Sequence, residues 1–234
     1  MTKHLRMFSI VVVASVLLVF VISACSNPGQ DSEFLATQQM VRSEFQISSS
    51  EFTENRPRKR IPEKHTCYGD DVSPPLVWSG ATASTQSYAL IAEDVDHETG
   101  IWVLWVLYNI PVETVNLSEG LPTSTDIFPN GITQGTNDNK NIGYNGPCPK
   151  RSVVTIFRTV QDSPHRSYFR LYALDSKLQL PSGVTKDKLL SAMEGHILDE
   201  TDTYGKYMPA PEIRYSRDFL RTAVAERHKP TPTP

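Results

Sequence analysis

Two kinds of apolar pattern run along this chain. Residues 7–22 are almost all Val, Leu, Ile, Phe, Ala and Ser, without a turn-forming residue. Further on, short runs rich in β-branched and aromatic residues are separated by Pro, Gly and Asn clusters, which is the pattern of strands. Residues 87–93 (SYALIAE) and 101–110 (IWVLWVLYNI, polar only at Asn109) do not alternate. Such runs are too short to span a membrane and predict strands buried on both faces. A third strand is predicted at 168–174 (YFRLYAL). One helix follows, capped by Thr185, with Asp187 in its first turn and Leu189, Leu190, Met193 and Ile197 at helical spacing. Gly195 marks a break or kink in it, and His196 on that face reads as a structural histidine. Residues 121–150 are full of breakers and almost aperiodic, and a loop of that length in a compact domain is usually functional or mobile. A mainly β domain with helices near its C-terminal end is expected.

The first apolar run changes meaning once its flanks are read. Lys3 and Arg6 precede it, and it ends in Ile22-Ser23-Ala24-Cys25. An aliphatic residue, two small ones and a cysteine form a lipobox, so residues 1–24 read as a lipoprotein signal peptide and Cys25 as the lipid-bearing first residue of the mature chain. An uncleaved membrane anchor is the alternative. Either way the rest of the protein is expected outside the cytoplasm, tied to a membrane. Residues 25–44 read as the lipidated cysteine and a flexible stalk, 45–220 as one domain, and 221–234, ending in KPTPTP, as a disordered Pro/Thr tail.

Loss of residues 1–24 removes two positive charges and takes the formal net charge from −3 to −5. That leaves no basic excess, so nucleic acid is an unexpected partner. The one dense basic cluster, Arg56, Arg58, Lys59 and Arg60, would either face the bilayer or guard an exposed strand edge. With Cys25 acylated, Cys67 and Cys148 remain, in a compartment where disulfides persist. They are either bridged or two buried free thiols, and their spacing carries no metal signature.

Several chemical motifs fail on inspection. His97-Glu98-Thr99-Gly100-Ile101 starts like a zinc-protease helix but has Ile101 where the second histidine is needed. Asn137-Asp138-Asn139-Lys140-Asn141 lacks the glycine and the terminal glutamate of a calcium loop and reads as a turn. There is no nucleophile elbow or phosphate loop. No cofactor and no metal site is predicted.

Residues 71–80 (DVSPPLVWSG), 89–96 (ALIAEDVD), 105–111 (WVLYNIP), 144–149 (YNGPCP), His165-Arg166, 171–175 (LYALD), 192–198 (AMEGHIL) and Gly205-Lys206-Tyr207 occur in that order. Together they resemble the phosphatidylethanolamine-binding protein family in its bacterial, Raf-kinase-inhibitor-like branch, over about residues 45–215. The resemblance implies an antiparallel β-sandwich core with peripheral and C-terminal helices, a small anion-binding pocket at one end, and no enzymatic activity. The family's pocket acid falls at Asp94, with Asp96 beside it, and one pocket histidine at His165. The other pocket histidine falls at Leu104 and the tyrosine at Ser167; Gly146 and Pro147 belong to the adjoining loop. An oxyanion needs converging donors in place of water, and Leu104 offers none, while Ser167 is much shorter than tyrosine. A protonated His165 beside Asp94 would still attract an anion, more weakly as it deprotonates. His97 either substitutes as a donor or is a loop histidine.

Residues 150–163 (KRSVVTIFRTVQDS) read as an insert relative to the family, with a strand-like run at Val153, Val154, Ile156, Phe157 and Val160. It would line or cover the pocket, form a partner surface, or be an extra hairpin on the core. The expected function is that of a non-enzymatic, membrane-tethered envelope protein binding a small anionic or phospholipid-type ligand and modulating a protein partner. The alternative is an interaction module or peptidase inhibitor whose ancestral pocket is lost.

Overall fold

The computed structural model describes residues 44–52, 59–154, 159–160 and 163–213, all within the unit Ser43–Pro234. The predicted signal peptide, Cys25, the stalk up to residue 43 and the tail lie outside the described residues. So do Arg56, Arg58, Ile156 and Phe157.

The three predicted strands form the middle of the molecule: β3 (Ser87–Asp94), β4 (Trp102–Pro111) and β9 (His165–Leu174). With β6 (Thr133–Gln134) and β10 (Ile197–Tyr207) they make a five-stranded antiparallel sheet in the order β10-β9-β3-β4-β6. A second antiparallel sheet, β1-β2-β5, comprises β1 (Gln46–Ser48), β2 (Leu76–Ser79) and β5 (Asn116–Leu117). Its Ile47, Leu76, Trp78 and Leu117 pack with Leu90, Leu107, Phe169 and Leu171 of the central sheet. On the opposite face Ala89, Ile91, Val106 and Tyr108 meet Leu189 and Met193 of helix α1 (Lys186–Met193). The central sheet therefore lies between a sheet and a helix, which is why β3 and β4 lack alternation: neither face meets water. The fold is mainly β, as expected.

Two bulges adjust β4. Ala92 pairs with Trp105 and Glu93 with Val103, so Leu104 is the extra residue and turns to the same face as Trp105, into the sandwich core. A second irregularity falls between Tyr88 and Leu90, opposite Asn109, whose φ is 54°. Asparagine tolerates this left-handed conformation better than a branched residue. Its side chain accepts the Leu178 N–H at 2.8 Å and donates to the Leu178 carbonyl at 3.0 Å, which explains the single polar residue of that apolar run.

The structure corrects several expectations. Ile101 lies outside β4 and is exposed. Helix α1 ends at Met193; Gly195, at φ 78°, turns the chain, and Ile197 begins β10 exposed rather than lying on the helix. His196 belongs to that turn, with Nδ1 2.8 Å from Asp175 Oδ1. Thr185 holds the N-cap position without a side-chain hydrogen bond. Among the described residues α1 is the one α-helix, joined by a single 3₁₀ turn at Glu63–His65.

The long segment 121–150 is ordered by buried polar side chains rather than by repeating structure. Gln134 accepts from Trp105 Nε1 at 2.8 Å and donates to the carbonyls of Pro122 (2.9 Å) and Thr125 (2.6 Å). Asn137 donates to the Gly143 carbonyl at 2.9 Å and accepts from Asn141 N at 3.1 Å, closing the turn. Within residues 150–163, β7 (Val153–Val154) pairs antiparallel with β8 (Thr159–Val160), and β11 (Glu212–Ile213) adds to β7 in parallel. Cys67 and Cys148 form a disulfide with Cα atoms 5.3 Å apart.

Candidate functional site

The end of β3 and the start of β9 lie side by side, with Asp94 opposite Ser167. Because side chains alternate along a strand, His165, Ser167 and Phe169 share one face, the face of the sandwich core, while Arg166 turns outward. Glu93 points the other way, toward α1, where it is buried against Lys186 and Arg170. Asp94 is thus delivered to the His165 side, and its Oδ2 lies 2.7 Å from His165 Nδ1. A carboxylate only accepts, so Nδ1 carries the proton and the ring's orientation is set. The other oxygen of Asp94 accepts the Asp96 N–H at 3.0 Å. Both members of the pair are buried.

Ser167 is fully buried, and its Oγ has no hydrogen-bond partner among the described residues. Leu104 reaches the same end of the sheet through its bulge, but as part of the apolar core beside Phe169 and Trp105. Its carbonyl accepts from Asn145 N at 3.0 Å, which brings the Gly146-Pro147 loop alongside. Gly146 is required for close approach: a Cβ there would lie 2.2 Å from the His65 carbonyl oxygen and 2.7 Å from Thr66 Cα. Its N–H donates to Asp71 Oδ1 at 2.6 Å, and Asp71 Oδ2 accepts from Asn145 at 2.9 Å. Asp71, at φ 55°, therefore holds this loop, a role that sequence reasoning missed although the residue opens the DVSPP segment.

Asp96 and His97 are turned to other work. Arg166 donates from Nε and Nη2 to the two oxygens of Asp96, each at 2.7 Å, and from its backbone N at 2.9 Å. This clamp holds the Asp96 carboxyl below its ordinary range. The His97 ring stacks on Trp102 with centroids 4.5 Å apart. Of the predicted pocket residues, the fold brings together Asp94, His165 and Ser167 with Leu104 in the neighbouring bulge; Gly146 and Pro147 follow Asn145, which bonds Leu104, and contact His65 and Cys67, while Asp96 is occupied by Arg166.

The mainly β core thus carries a buried acid and imidazole, hydrogen-bonded to each other, at one end of the central sheet. The sequence profile of the phosphatidylethanolamine-binding proteins matches residues 48–208, and the chain belongs to that family. It is 43% identical over 150 residues to a UPF0098 protein of Methanothermobacter thermautotrophicus, covering 64% of this chain and 91% of that one. With a UPF0098 protein of Chlamydia muridarum it shares 41% over 168 residues, 70% of this chain and 98% of the relative. The fold matches the crystal structure of CT736, a phosphatidylethanolamine-binding protein homologue from Chlamydia trachomatis, at TM-score 0.58 and 37% identity, over 70% of this chain and 97% of that one. It also matches E. coli YbcL at TM-score 0.61 and 25% identity, over 71% and 99%.

Proposed function

We propose that this chain is a non-enzymatic binding protein, tethered at the cell envelope, that takes a small oxyanion or phospholipid head group where Asp94, His165 and Ser167 converge. The observation that carries this reading is the Ser167 hydroxyl, buried beside the Asp94–His165 pair without a hydrogen-bond partner among the described residues. An unsatisfied buried hydroxyl costs about 1–3 kcal/mol, and a ligand oxygen that accepts from it recovers that cost. Asp94 fixes the ring, and a protonated His165 supplies positive charge for the anion. Leu104 adds no donor, so the affinity is weaker than a fully polar pocket would give. The segment Ile22-Ser23-Ala24-Cys25 and the Cys67–Cys148 disulfide support the extracytoplasmic address.

Leu104 favours a second reading, an interaction module acting through a protein surface, peptidase inhibition included, because an aliphatic side chain fills part of the site. Calorimetry with inorganic phosphate and with phosphoethanolamine at about pH 6 separates the two. Saturable heat that disappears in His165→Ala and weakens at about pH 8 supports the pocket. A flat titration of the folded protein overturns it in favour of the interaction module.

A further inference from the structure

Away from that pocket, a buried imidazole nitrogen faces two carboxylates. His65, in the 3₁₀ turn, is fully buried. Its Nδ1 lies 2.8 Å from the Val72 carbonyl oxygen, which can only accept, so Nδ1 carries a proton and the lone pair of the neutral ring lies at Nε2. That nitrogen has no hydrogen-bond partner among the described residues. It points at Glu119 Oε2, 3.8 Å away, and Glu51 Oε2, 4.0 Å away, and the three ligand atoms lie within 4.8 Å of one another. A lone pair aimed at two anions is unfavourable unless a cation lies among them. Lys64 meets part of that need: its Nζ is 2.6 Å from Glu119 and 3.2 Å from Glu51, yet it makes no hydrogen bond to the imidazole.

We propose that His65, Glu51 and Glu119 form a binding site for a divalent transition cation of the zinc type, with Lys64 as the ammonium that the metal displaces. The donor set is one imidazole and two carboxylates, which suits borderline cations such as Zn²⁺ or Co²⁺ and leaves a position for water. The Nδ1–H to carbonyl bond is the usual outer support of a metal-binding histidine. Metal–ligand bonds of about 2.0–2.2 Å need the donors roughly 3–3.5 Å apart. The carboxylates must close on the imidazole by about 1 Å or less and on each other by up to about 1–2 Å, and the Glu51 and Glu119 side chains, 33% and 41% exposed, have room to do so. Glu51 follows β1, His65 lies in the linker before β2, and Glu119 follows β5, so one ion would join three separate segments of the molecule. The inference is independent of the anion pocket.

The test uses the full chain in detergent, freed of metal by chelation and titrated with ZnCl₂ in a calorimeter, then with Co²⁺ in a visible spectrophotometer. One Zn²⁺ per chain, d–d absorption with Co²⁺, and no comparable binding of Mg²⁺ are expected. Glu51→Gln and Glu119→Gln, at partly exposed positions that leave the core intact, each weaken binding about tenfold or more. Lys64→Met tightens it, because the competing ammonium is gone. His65→Ala abolishes it if the variant folds, and the two glutamate variants decide the matter if it does not. Zn²⁺ affinity unchanged in Glu51→Gln and Glu119→Gln, or no uptake at all, overturns the proposal.

Discussion

Replacing Cys67 and Cys148 by serine opens a covalent loop whose ends are 81 residues apart. In the chain-entropy description, closing a loop of that length removes about 4–5 kcal/mol of freedom from the unfolded chain at 25 °C. The folded state has other ties between the same segments. Tyr68 donates from its hydroxyl to the Pro149 carbonyl at 2.6 Å, Tyr144 to the His65 carbonyl at 2.7 Å, and Cys67 N to the Pro147 carbonyl at 3.4 Å. The double variant is therefore expected to fold with the Gly146 loop in place and to lose stability mainly through its freer unfolded state. The loss amounts to roughly a third or more of a domain stability of about 5–15 kcal/mol, or about 8–20 °C in Tm for a domain of this size. Urea unfolding of the oxidised protein against Cys67→Ser/Cys148→Ser, with Cys25 treated identically in both, reads the difference. A difference under about 1 kcal/mol, or rapid alkylation of Cys67 and Cys148 in the native oxidised protein, refutes the reasoning.

Further outcomes are expected. Gly146→Ala places a methyl group 2.2 Å from a backbone oxygen, which cannot move as a side chain can, and should cost about 3 kcal/mol or more in urea unfolding; wild-type stability would show that the segment yields. Leu104→His restores a donor at the bulge and is expected to raise phosphate affinity over the parent, at a cost in stability of about 2–5 kcal/mol, since a fully buried aliphatic contact is lost; unchanged or weaker affinity in the folded variant counts against the assigned site. Arg166 holds the Asp96 carboxyl below its ordinary value of 3.8, so the clamp's contribution, small for a solvent-screened pair, is present above that pH and is lost as pH falls through the lowered value. The stability gap between wild type and Asp96→Asn should narrow as pH falls below 3.8; a gap that persists in strong acid contradicts the assignment. Labelled palmitate should enter the protein and be lost in Cys25→Ser, and an unlabelled wild type would remove the proposed tether.

Much of the central sheet was legible because β3, β4 and β9 are read from local composition alone: a residue-by-residue apolar run of strand length has few other solutions. What local reading missed lies where two rules coincide or where the partner is distant. Ile197 continues the helical spacing of Leu189 and Met193 by accident, and only the reversed φ of Gly195 shows that the chain has turned into β10. The order in residues 121–150 escapes periodicity because Gln134 and Asn137 supply it through side-chain hydrogen bonds to backbone carbonyls, which leave no repeating signature. His65, Glu51 and Glu119 drew no notice because no spacing links them until the fold does.

By itself, then, the sequence marked the three central strands, the pairing candidates among the cysteines, and residues 94 and 165 as the acid and imidazole that the family resemblance implies. Tertiary structure decided that those two side chains meet at 2.7 Å, that a bulge turns Leu104 onto their face, and that Arg166 takes Asp96 away from it. The division has a physical cause. Strand propensity and turn chemistry act over a few neighbouring residues, whereas register and bulges are set by the simultaneous burial of both faces of the central sheet against elements far away in the chain.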